Sequence, residues 1–255
     1  MPLRILVLSW LCIVMIFESI CSKLQFKFKD RVAAATILGE CLKDKVKNEE
    51  EQKTTVVLGI PRGGIITADI VAKKLSSLFF DIIIPGRLRD PDNNEQAIGA
   101  IMGDGTTYIN RKFVTDLQIS SDYLEKEKLQ QMQEIMRRTT LYRKEPRKDF
   151  GSFLKDKTVI LVDDGAATGA TIIATAKWMR QLQDKPKRLM IAIPVAPKSI
   201  VNILKEKCDA EVEVVISPPS SIFRSVEQYH HNFQPIGDAQ VIRIMKDRNL
   251  LQYQT

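Results

Sequence analysis

The chain has 255 residues, of which 44% are hydrophobic and 27% charged, with a formal net charge of +7. This is the composition of a soluble globular protein, and the length suffices for one large domain or for a domain with appendages. The basic residues are scattered without an aromatic-interleaved basic patch, which argues against a nucleic-acid binder. A positive field would also favour a small polyphosphorylated ligand.

Cysteine and histidine are too sparse for several common kinds of site. The cysteines have neither metal-ligand spacing nor a disulfide framework; they are Cys12, Cys21, Cys41 and Cys208. Histidine occurs only at His230 and His231. A histidine-based triad and a histidine-rich metal site are therefore not expected.

Residues 1–25 form a hydrophobic leader with an almost continuous apolar run from Ile5 to Phe17. The run is shorter than the ~20 residues of a membrane span. Glu18 stands where a signal peptidase site would need a small residue. We weigh three interpretations in this order: an extension upstream of the true start, with Met15 as one alternative start; a marginal membrane anchor; and a signal peptide. We expect that deletion up to Ser22 leaves a folded, soluble protein.

The folded domain is predicted for residues 26–255, and its first half alternates between helices and strands. The predicted elements are a helix over Asp30–Lys47, a charged connector over Asn48–Lys53, a strand over Thr54–Leu58, a glycine-containing loop over Gly59–Gly64, a helix over Ile65–Ser76, a strand over Phe79–Ile84, a mobile, breaker-rich loop over Pro85–Asn94, and short strands over Glu95–Met102 and Thr106–Asn110. Ser120 or Ser121 can cap a long helix through about Tyr142.

The second half continues the alternation after a polar connector over Glu145–Lys157. The predicted elements are a buried strand over Val159–Val162, a helix over Ile172–Leu182, a strand over Arg188–Val195, a helix over Lys198–Lys207, a strand over Glu211–Ile216, an irregular segment over Ser217–Pro235 and a last helix over Asp238–Lys246. This order predicts an α/β fold with a mostly parallel sheet flanked by helices.

The most informative stretch follows the buried strand over Val159–Val162. Asp163 and Asp164 come first, then small residues and threonines up to Thr171. Ligands of open α/β sheets bind at the carboxyl ends of the strands. A small-residue loop that opens a helix offers backbone N–H groups to an anion. The carboxylates can accept hydrogen bonds from hydroxyl groups, and the loop beside them can bind a phosphate. This combination suits a phosphorylated sugar.

This stretch resembles the signature of type I phosphoribosyltransferases for 5-phosphoribosyl pyrophosphate (PRPP). The resemblance implies a type I phosphoribosyltransferase-like domain with a small hood. It implies that Asp163 and Asp164 hold the ribose 2- and 3-hydroxyls. It implies that Gly165 also binds PRPP, and that the 5-phosphate is surrounded by Ala166, Ala167, Thr168, Gly169, Ala170 and Thr171.

A second loop resembles the pyrophosphate loop of the same family. It comprises Pro61, Arg62, Gly63 and Gly64, where two glycines permit close backbone approach and an arginine offers a forked cation. The resemblance implies a cis peptide bond between Pro61 and Arg62. It also implies a basic residue after the Phe79–Ile84 strand, for which Arg87 is the first candidate and Arg89 the second. Arg62 and Arg87 are the candidate catalytic residues. The fuller pattern is most similar to the uncharacterised phosphoribosyltransferases with a Pro-Arg-Gly-Gly loop.

The implied reaction is displacement of pyrophosphate from PRPP by a nitrogenous base, with magnesium bound through PRPP and no protein metal site. In the 6-oxopurine enzymes an Asp precedes the Thr-Gly pair, whereas here Ala167 does. This departure argues against a hypoxanthine or guanine acceptor, and it leaves adenine, a pyrimidine or another acceptor open. The segment Ser217–Pro235 is expected to form the hood, with Phe223, Tyr229 or Phe233 stacking on the base or packing in the core.

Two other functions remain alternatives. The first is a non-catalytic sensor of PRPP or a nucleotide on the same fold. The second, ranked lower because no separate ATP-binding half is visible, is a relative of PRPP synthetases. The expected partners are the small-molecule substrates, without nucleic acid; if copies of the chain associate, we expect a homodimer. The expected location is cytoplasmic, with membrane contact only through the leader.

Overall fold

The computed structural model describes residues 26–46, 48–143 and 149–252. The leader lies outside these ranges, so its interpretations stay predictions. The central sheet has five parallel strands in the order β2-β1-β6-β7-β8. Its strands are β1 (Val56–Gly59), β2 (Phe79–Ile82), β6 (Thr158–Val162), β7 (Arg188–Val195) and β8 (Glu211–Ile216). The prediction of a mostly parallel sheet is confirmed.

Alternate residues of the central strands supply two separate cores. Val57 and Ile160 face one apolar cluster, whereas Leu58 and Leu161 face the other. All four side chains are fully buried. Because successive residues of a strand point to opposite faces, a continuous apolar run is what a sheet covered on both faces requires.

Helices cover the two faces. In chain order they are α1 (Arg31–Lys43), α2 (Glu49–Thr54), α3 (Gly63–Lys74), α4 (Arg111–Asp116), α5 (Ser121–Tyr142), α6 (Phe150–Leu154), α7 (Ala170–Gln181), α8 (Lys198–Cys208) and α9 (Asp238–Gln252). Helix α1 packs on α3 and on the β7–β8 edge, whereas α7 packs against α8 on the other side. Within the described residues, none of these helices is both long and apolar enough to cross a membrane.

Two short helices lie where connectors were predicted, and a third lies where no element was predicted. The connector predicted over Asn48–Lys53 is helical as α2, part of the connector predicted over Glu145–Lys157 is helical as α6, and α4 was not predicted. Each begins after a side chain that accepts a backbone N–H. The caps are Asn48 on Glu51, Asn110 on Phe113 and Asp149 on Ser152. Such caps satisfy otherwise unpaired N–H groups of the first turn.

The loop predicted over Pro85–Asn94 is wrong for its first residues, which belong to a second, antiparallel sheet. It consists of β3 (Gly86–Arg89), β4 (Ala97–Ile101) and β5 (Thr107–Ile109), in that order. The first residues of the predicted loop are therefore a strand paired with β4. A Cβ on Gly86 would lie 2.8 Å from the Gln131 Cβ of α5, so this glycine permits close helix packing.

The segment before α1 is joined to the segment that precedes α9. The Phe28 N–H donates to the Tyr229 carbonyl at 2.8 Å, and the His231 N–H donates to the Phe28 carbonyl at 2.9 Å. The Phe28 ring lies 5.3 Å from the His230 ring. The N-terminal segment of the described domain is therefore held against the segment that precedes α9.

Candidate functional site

The predicted site lies where β1 and β6 end side by side. Gly59 pairs with Val162 in the parallel register, and the Ile60 N–H donates to the Val162 carbonyl at 2.9 Å. The loop after β1 and the loop after β6 therefore leave the sheet at the same edge. This edge is where α/β proteins bind ligands.

The two loops touch through glycines. A Cβ on Gly63 would lie 1.8 Å from Asp164 Oδ2, and a Cβ on Gly64 would lie 2.7 Å from the Asp163 Cα. Real Cβ atoms do not approach other atoms so closely. These positions therefore need glycine so that the backbone can lie against the carboxylate pair.

The two carboxylates are in different electrostatic environments. The Asp164 N–H donates to Asp163 Oδ1 at 2.8 Å. Burial raises the pKa of the Asp163 carboxyl well above its usual range, and the charge of Asp164 raises it further. Asp164 has a partner cation, because its Oδ2 lies 2.8 Å from Arg31 Nε.

The residues directly after the aspartates are packed from both sides. A Cβ on Gly165 would lie 2.5 Å from Val226 Cγ1. The Ala166 N–H donates to the Val195 carbonyl at 3.0 Å, which ties the loop to β7. Ala167 is exposed. The loop is thus fixed at its beginning, while its middle faces outward.

The end of this loop turns into α7. Gly169 has φ +69°, in the left-handed region that glycine adopts without strain. Thr168 Oγ1 accepts the Ala170 N–H at 3.4 Å, and Thr171 is half-buried in the first turn of the helix. Residues 165–171 therefore form a turn into a helix N-terminus, a geometry suited to an anion.

The loop after β1 has the cis peptide bond between Pro61 and Arg62 that we expected from the family resemblance. The Arg62 side chain is exposed, and its Nη1 lies 4.0 Å from Asp238 Oδ1 at the start of α9. The structure therefore brings the backbone of this loop to the aspartates, while the Arg62 guanidinium is directed to α9.

Arg87 lies in strand β3 and not in an open loop. Its Nη2 donates to the Glu95 carbonyl across the turn between β3 and β4. Desolvation lowers the pKa of Arg87, the charge of Arg89 lowers it further, and the charge of Asp163 opposes the shift. The Arg87 guanidinium therefore interacts electrostatically with Asp163.

The predicted hood residues are divided between the site and a separate cluster. Phe233 lies beneath the Arg31 guanidinium, whose Cζ is 3.5 Å from the ring centroid. Phe223 stacks on Tyr229 instead, with ring centroids 5.8 Å apart. Phe233 is thus the aromatic side chain of the segment that reaches the partner of Asp164.

Arg31 is the site residue that sequence analysis missed. It is the first residue of α1, and its pairing with Asp164 joins positions 133 residues apart. The available signal was a cation in the first helical turn, where the helix dipole disfavours positive charge.

In the part of the chain that the structure describes, no group of three or more His, Cys, Asp or Glu residues could hold a metal ion.

Comparison with known proteins identifies the family. A family model described as "Phosphoribosyl transferase domain" matches residues 28–234, which include the whole site described above. The chain therefore belongs to the phosphoribosyl transferase family, and its fold is that of the type I enzymes.

Individual relatives agree with this assignment. The crystal structure of the protein TT1426 from Thermus thermophilus is 32% identical, covers 87% of this chain and 99% of its own, and superposes with a TM-score of 0.65. Two Mycobacterium tuberculosis proteins from different strains, each named "Putative phosphoribosyl transferase", are 31% identical over 193 residues. The match covers 76% of this chain but only 42% of each mycobacterial protein.

Proposed function

We propose that this protein transfers the 5-phosphoribosyl group of PRPP to a nitrogenous base and releases pyrophosphate. The observation that supports this most directly is the close approach of the Pro-Arg-Gly-Gly loop to the Asp163–Asp164 pair. Gly63 and Gly64 leave no room for a side chain between the loop and the carboxylates. A sugar held by the carboxylates would therefore have its C1 substituent beside this loop.

The carboxylates and the loop after them would bind the sugar phosphate. Asp163 and Asp164 would accept hydrogen bonds from the ribose hydroxyls. The 5-phosphate would accept hydrogen bonds from backbone N–H groups of residues 167–171 and from the Thr168 and Thr171 hydroxyls. This binding fixes C1 in position, which is a major source of rate enhancement for a displacement reaction.

The arginines would stabilise the leaving pyrophosphate. Bond breaking at C1 moves an electron pair onto a pyrophosphate oxygen, so positive groups near that oxygen favour the transition state. Arg87 and the loop with Arg62 are our candidates for this role. Magnesium bound through PRPP would supply further charge neutralisation, and the Asp163–Asp164 oxygens are donors of the type that it prefers.

The acceptor would enter on the side of Phe233 and residues 217–235. The nitrogen would form a bond to C1 as the C1–O bond to pyrophosphate breaks, and the proton of that nitrogen would pass to the departing pyrophosphate or to solvent. Ala167 offers no carboxylate to a purine ring, so we propose an acceptor other than hypoxanthine or guanine.

Calorimetry with PRPP, in the presence and absence of magnesium, tests the sugar site. We expect Asp164→Ala to weaken binding by about 10- to 100-fold, since it removes a charge-assisted hydrogen bond worth roughly 1.5–3 kcal/mol. Asp116→Ala is the matched control, because Asp116 is exposed in α4 and pairs with Lys112 of the same helix. Equal affinity of wild type and Asp164→Ala, or no binding by wild type, would overturn the proposal.

A second assay separates an enzyme from a sensor. Pyrophosphate release is measured with PRPP and a panel of purine and pyrimidine bases. Base-dependent release in wild type supports the transferase. Tight PRPP binding without release for any base would instead favour a regulatory PRPP-binding protein on the same fold.

A further inference from the structure

Arg31 lies where four segments of the chain meet. Its Nε lies 2.8 Å from Asp164 Oδ2, and its Nη1 donates to the Gln234 carbonyl at 2.6 Å. Its guanidinium covers the Phe233 ring, and only 11% of the side chain is exposed. One side chain therefore connects α1, the loop after β6 and the hood segment.

The pyrophosphate loop leaves space for this arrangement. A Cβ on Gly63 would lie 3.2 Å from Arg31 Nε and still closer to Asp164. The absence of a side chain at residue 63 thus makes room for the ion pair between Arg31 and Asp164. The Pro-Arg-Gly-Gly loop is the fourth segment at this point.

The helix position of Arg31 is unfavourable by itself. It is the first residue of α1, after the cap in which Asp30 accepts the Ala33 N–H at 2.8 Å. The partial positive charge of a helix N-terminus disfavours a cation. The ion pair with Asp164 offsets this unfavourable interaction with the helix N-terminus. The contact therefore belongs to the structure of the site and is not an ordinary surface ion pair.

The charge balance of the site also depends on Arg31. Asp163 and Asp164 are adjacent carboxyls, and burial together with the charge of Asp164 raises the pKa of Asp163. PRPP is itself a polyanion and would be repelled by two unpaired carboxylates. A guanidinium on Asp164 reduces that repulsion while leaving the carboxylate able to accept hydroxyl groups.

We propose that Arg31 is a positioning residue that holds the Asp164 carboxylate for the ribose hydroxyls and couples it to the hood through Phe233 and Gln234. The inference rests on the proposed function, because the sugar concerned is that of PRPP. It adds a specific consequence. Binding of PRPP at the carboxylates should stabilise the hood over residues 217–235, and this effect should require Arg31.

The test compares Arg31→Gln and Arg31→Lys with wild type by calorimetry with PRPP and magnesium. We expect Arg31→Gln to weaken binding by about tenfold or more, the scale of one charge-assisted hydrogen bond. Arg31→Lys keeps the charge but not the forked, stacked geometry, so its loss should be smaller. Arg111→Gln is the matched control, since Arg111 is an exposed arginine at the first position of α4.

Hydrogen exchange of the same variants measures the coupling. In wild type, PRPP should slow amide exchange in the hood, including the Asn232 N–H that donates to the Lys29 carbonyl. In Arg31→Gln, saturating PRPP should not slow it, while Arg111→Gln should respond as wild type does. Arg31→Gln could lower the protection of the hood in the absence of ligand. If PRPP still slowed exchange in the hood of that variant, Arg31 would have only a structural role and the proposal would be contradicted.

The outcomes distinguish this inference from the proposed function. If wild type does not bind PRPP, the proposed function fails, and the role of Arg31 in sugar binding fails with it. If wild type binds PRPP and Arg31→Gln binds with equal affinity, only the role of Arg31 is overturned. Weakened binding with partial recovery in Arg31→Lys, together with loss of the hood response, supports the proposal.

Discussion

Gly63 offers the sharpest test at the level of a single residue. A methyl group there would lie 1.8 Å from Asp164 Oδ2. Because the neighbour is the far end of a side chain, Gly63→Ala should displace the carboxylate while the fold persists. We expect PRPP affinity to fall by about tenfold or more, as for loss of a charge-assisted hydrogen bond. Calorimetry of the variant checks this.

Two other glycines serve as comparisons. Gly237 has nothing within 4 Å of an added Cβ, so Gly237→Ala should leave PRPP affinity unchanged. Gly64→Ala would place a methyl group 2.7 Å from the Asp163 Cα, and backbone cannot easily move. That variant should lose stability as well as binding. If Gly63→Ala and Gly237→Ala bind PRPP equally, the tight contact at residue 63 has no role in binding.

His230 predicts a pH dependence of stability. The ring is 5% exposed, Nδ1 lies 3.1 Å from the Val226 carbonyl, and Nε2 has no hydrogen-bond partner among the described residues. The pKa of His230 is lowered, chiefly by burial and also by the charge of Arg31, although the hydrogen bond with the Val226 carbonyl and the charges of Asp164 and Asp30 oppose this. The unfolded chain therefore takes up a proton more readily than the folded one. This contribution to stability is complete above an unfolded-state pKa of about 6.5 and is lost as the pH falls toward the folded-state pKa.

Urea unfolding from about pH 7.5 to about pH 5.5 measures this effect. We expect the free energy of unfolding of wild type to fall more over this range than that of His230→Gln. His231→Gln is the control, because His231 is the exposed neighbour. An identical pH dependence of wild type and His230→Gln would show that His230 does not titrate differently on unfolding.

At the level of elements, the buried side chain of Arg248 joins α9 to α3. Arg248 Nε lies 2.6 Å from Asp69 Oδ1, and its Nη2 donates to the Asp69 carbonyl at 2.5 Å. Arg248→Met should reduce the free energy of unfolding by about 2–4 kcal/mol, since it removes charge-assisted bonds from a mostly buried carboxylate. Lys73→Met, which removes the exposed partner of the same Asp69, should cost less than about 1 kcal/mol. Comparable losses for the two variants would contradict this.

The sequence predicted the central sheet well because its strands are buried. The bounds predicted for β7 and β8 agree with the structure, and β6 begins one residue earlier than predicted. Continuous apolar runs between polar segments leave few alternative assignments. The long helix α5 was also expected, and Ser120 caps it as predicted, with its side chain accepting the Tyr123 N–H.

The elements missed by sequence analysis are short or depend on distant contacts. Strand β3 lies in a stretch, residues 85–94, that is rich in residues that favour turns, yet Leu88 is fully buried and Gly86 is required by close packing of α5. The caps of α2, α4 and α6 are visible in the sequence as Asn or Asp, but the helices after them have only five or six residues, which is too short for an apolar periodicity to support a prediction.

At the level of the whole molecule, the net charge of +7 predicts a salt-dependent encounter with PRPP. A positive field attracts a polyanion, and salt screens that field over a Debye length of about 10 Å at 0.1 M. We expect the association rate constant to fall as ionic strength rises from about 10 to 150 mM, with a smaller change in dissociation. Stopped-flow measurements with PRPP test this, and an association rate that is independent of salt would contradict it.

The parts of the site that were predictable are continuous in sequence. Asp163 to Thr171 and the loop around Arg62 each form a short motif, so a single stretch predicted each of them. The partner of Asp164 was not predictable, because Arg31 reaches it only through the packing of α1. Likewise, no local pattern indicated that Phe28 would pair with the hood.

The contact of Arg31 with Gln234 has a consequence for synthesis of the protein. These residues are 203 positions apart. At about 5–20 residues per second, a ribosome completes Gln234 on the order of ten seconds or more after Arg31. Until Gln234 has been synthesised, Asp164 cannot have both the Arg31 guanidinium and the hood segment beside it. Under the proposed function, a nascent chain therefore reaches its full affinity for the sugar phosphate only when translation of the domain is almost finished.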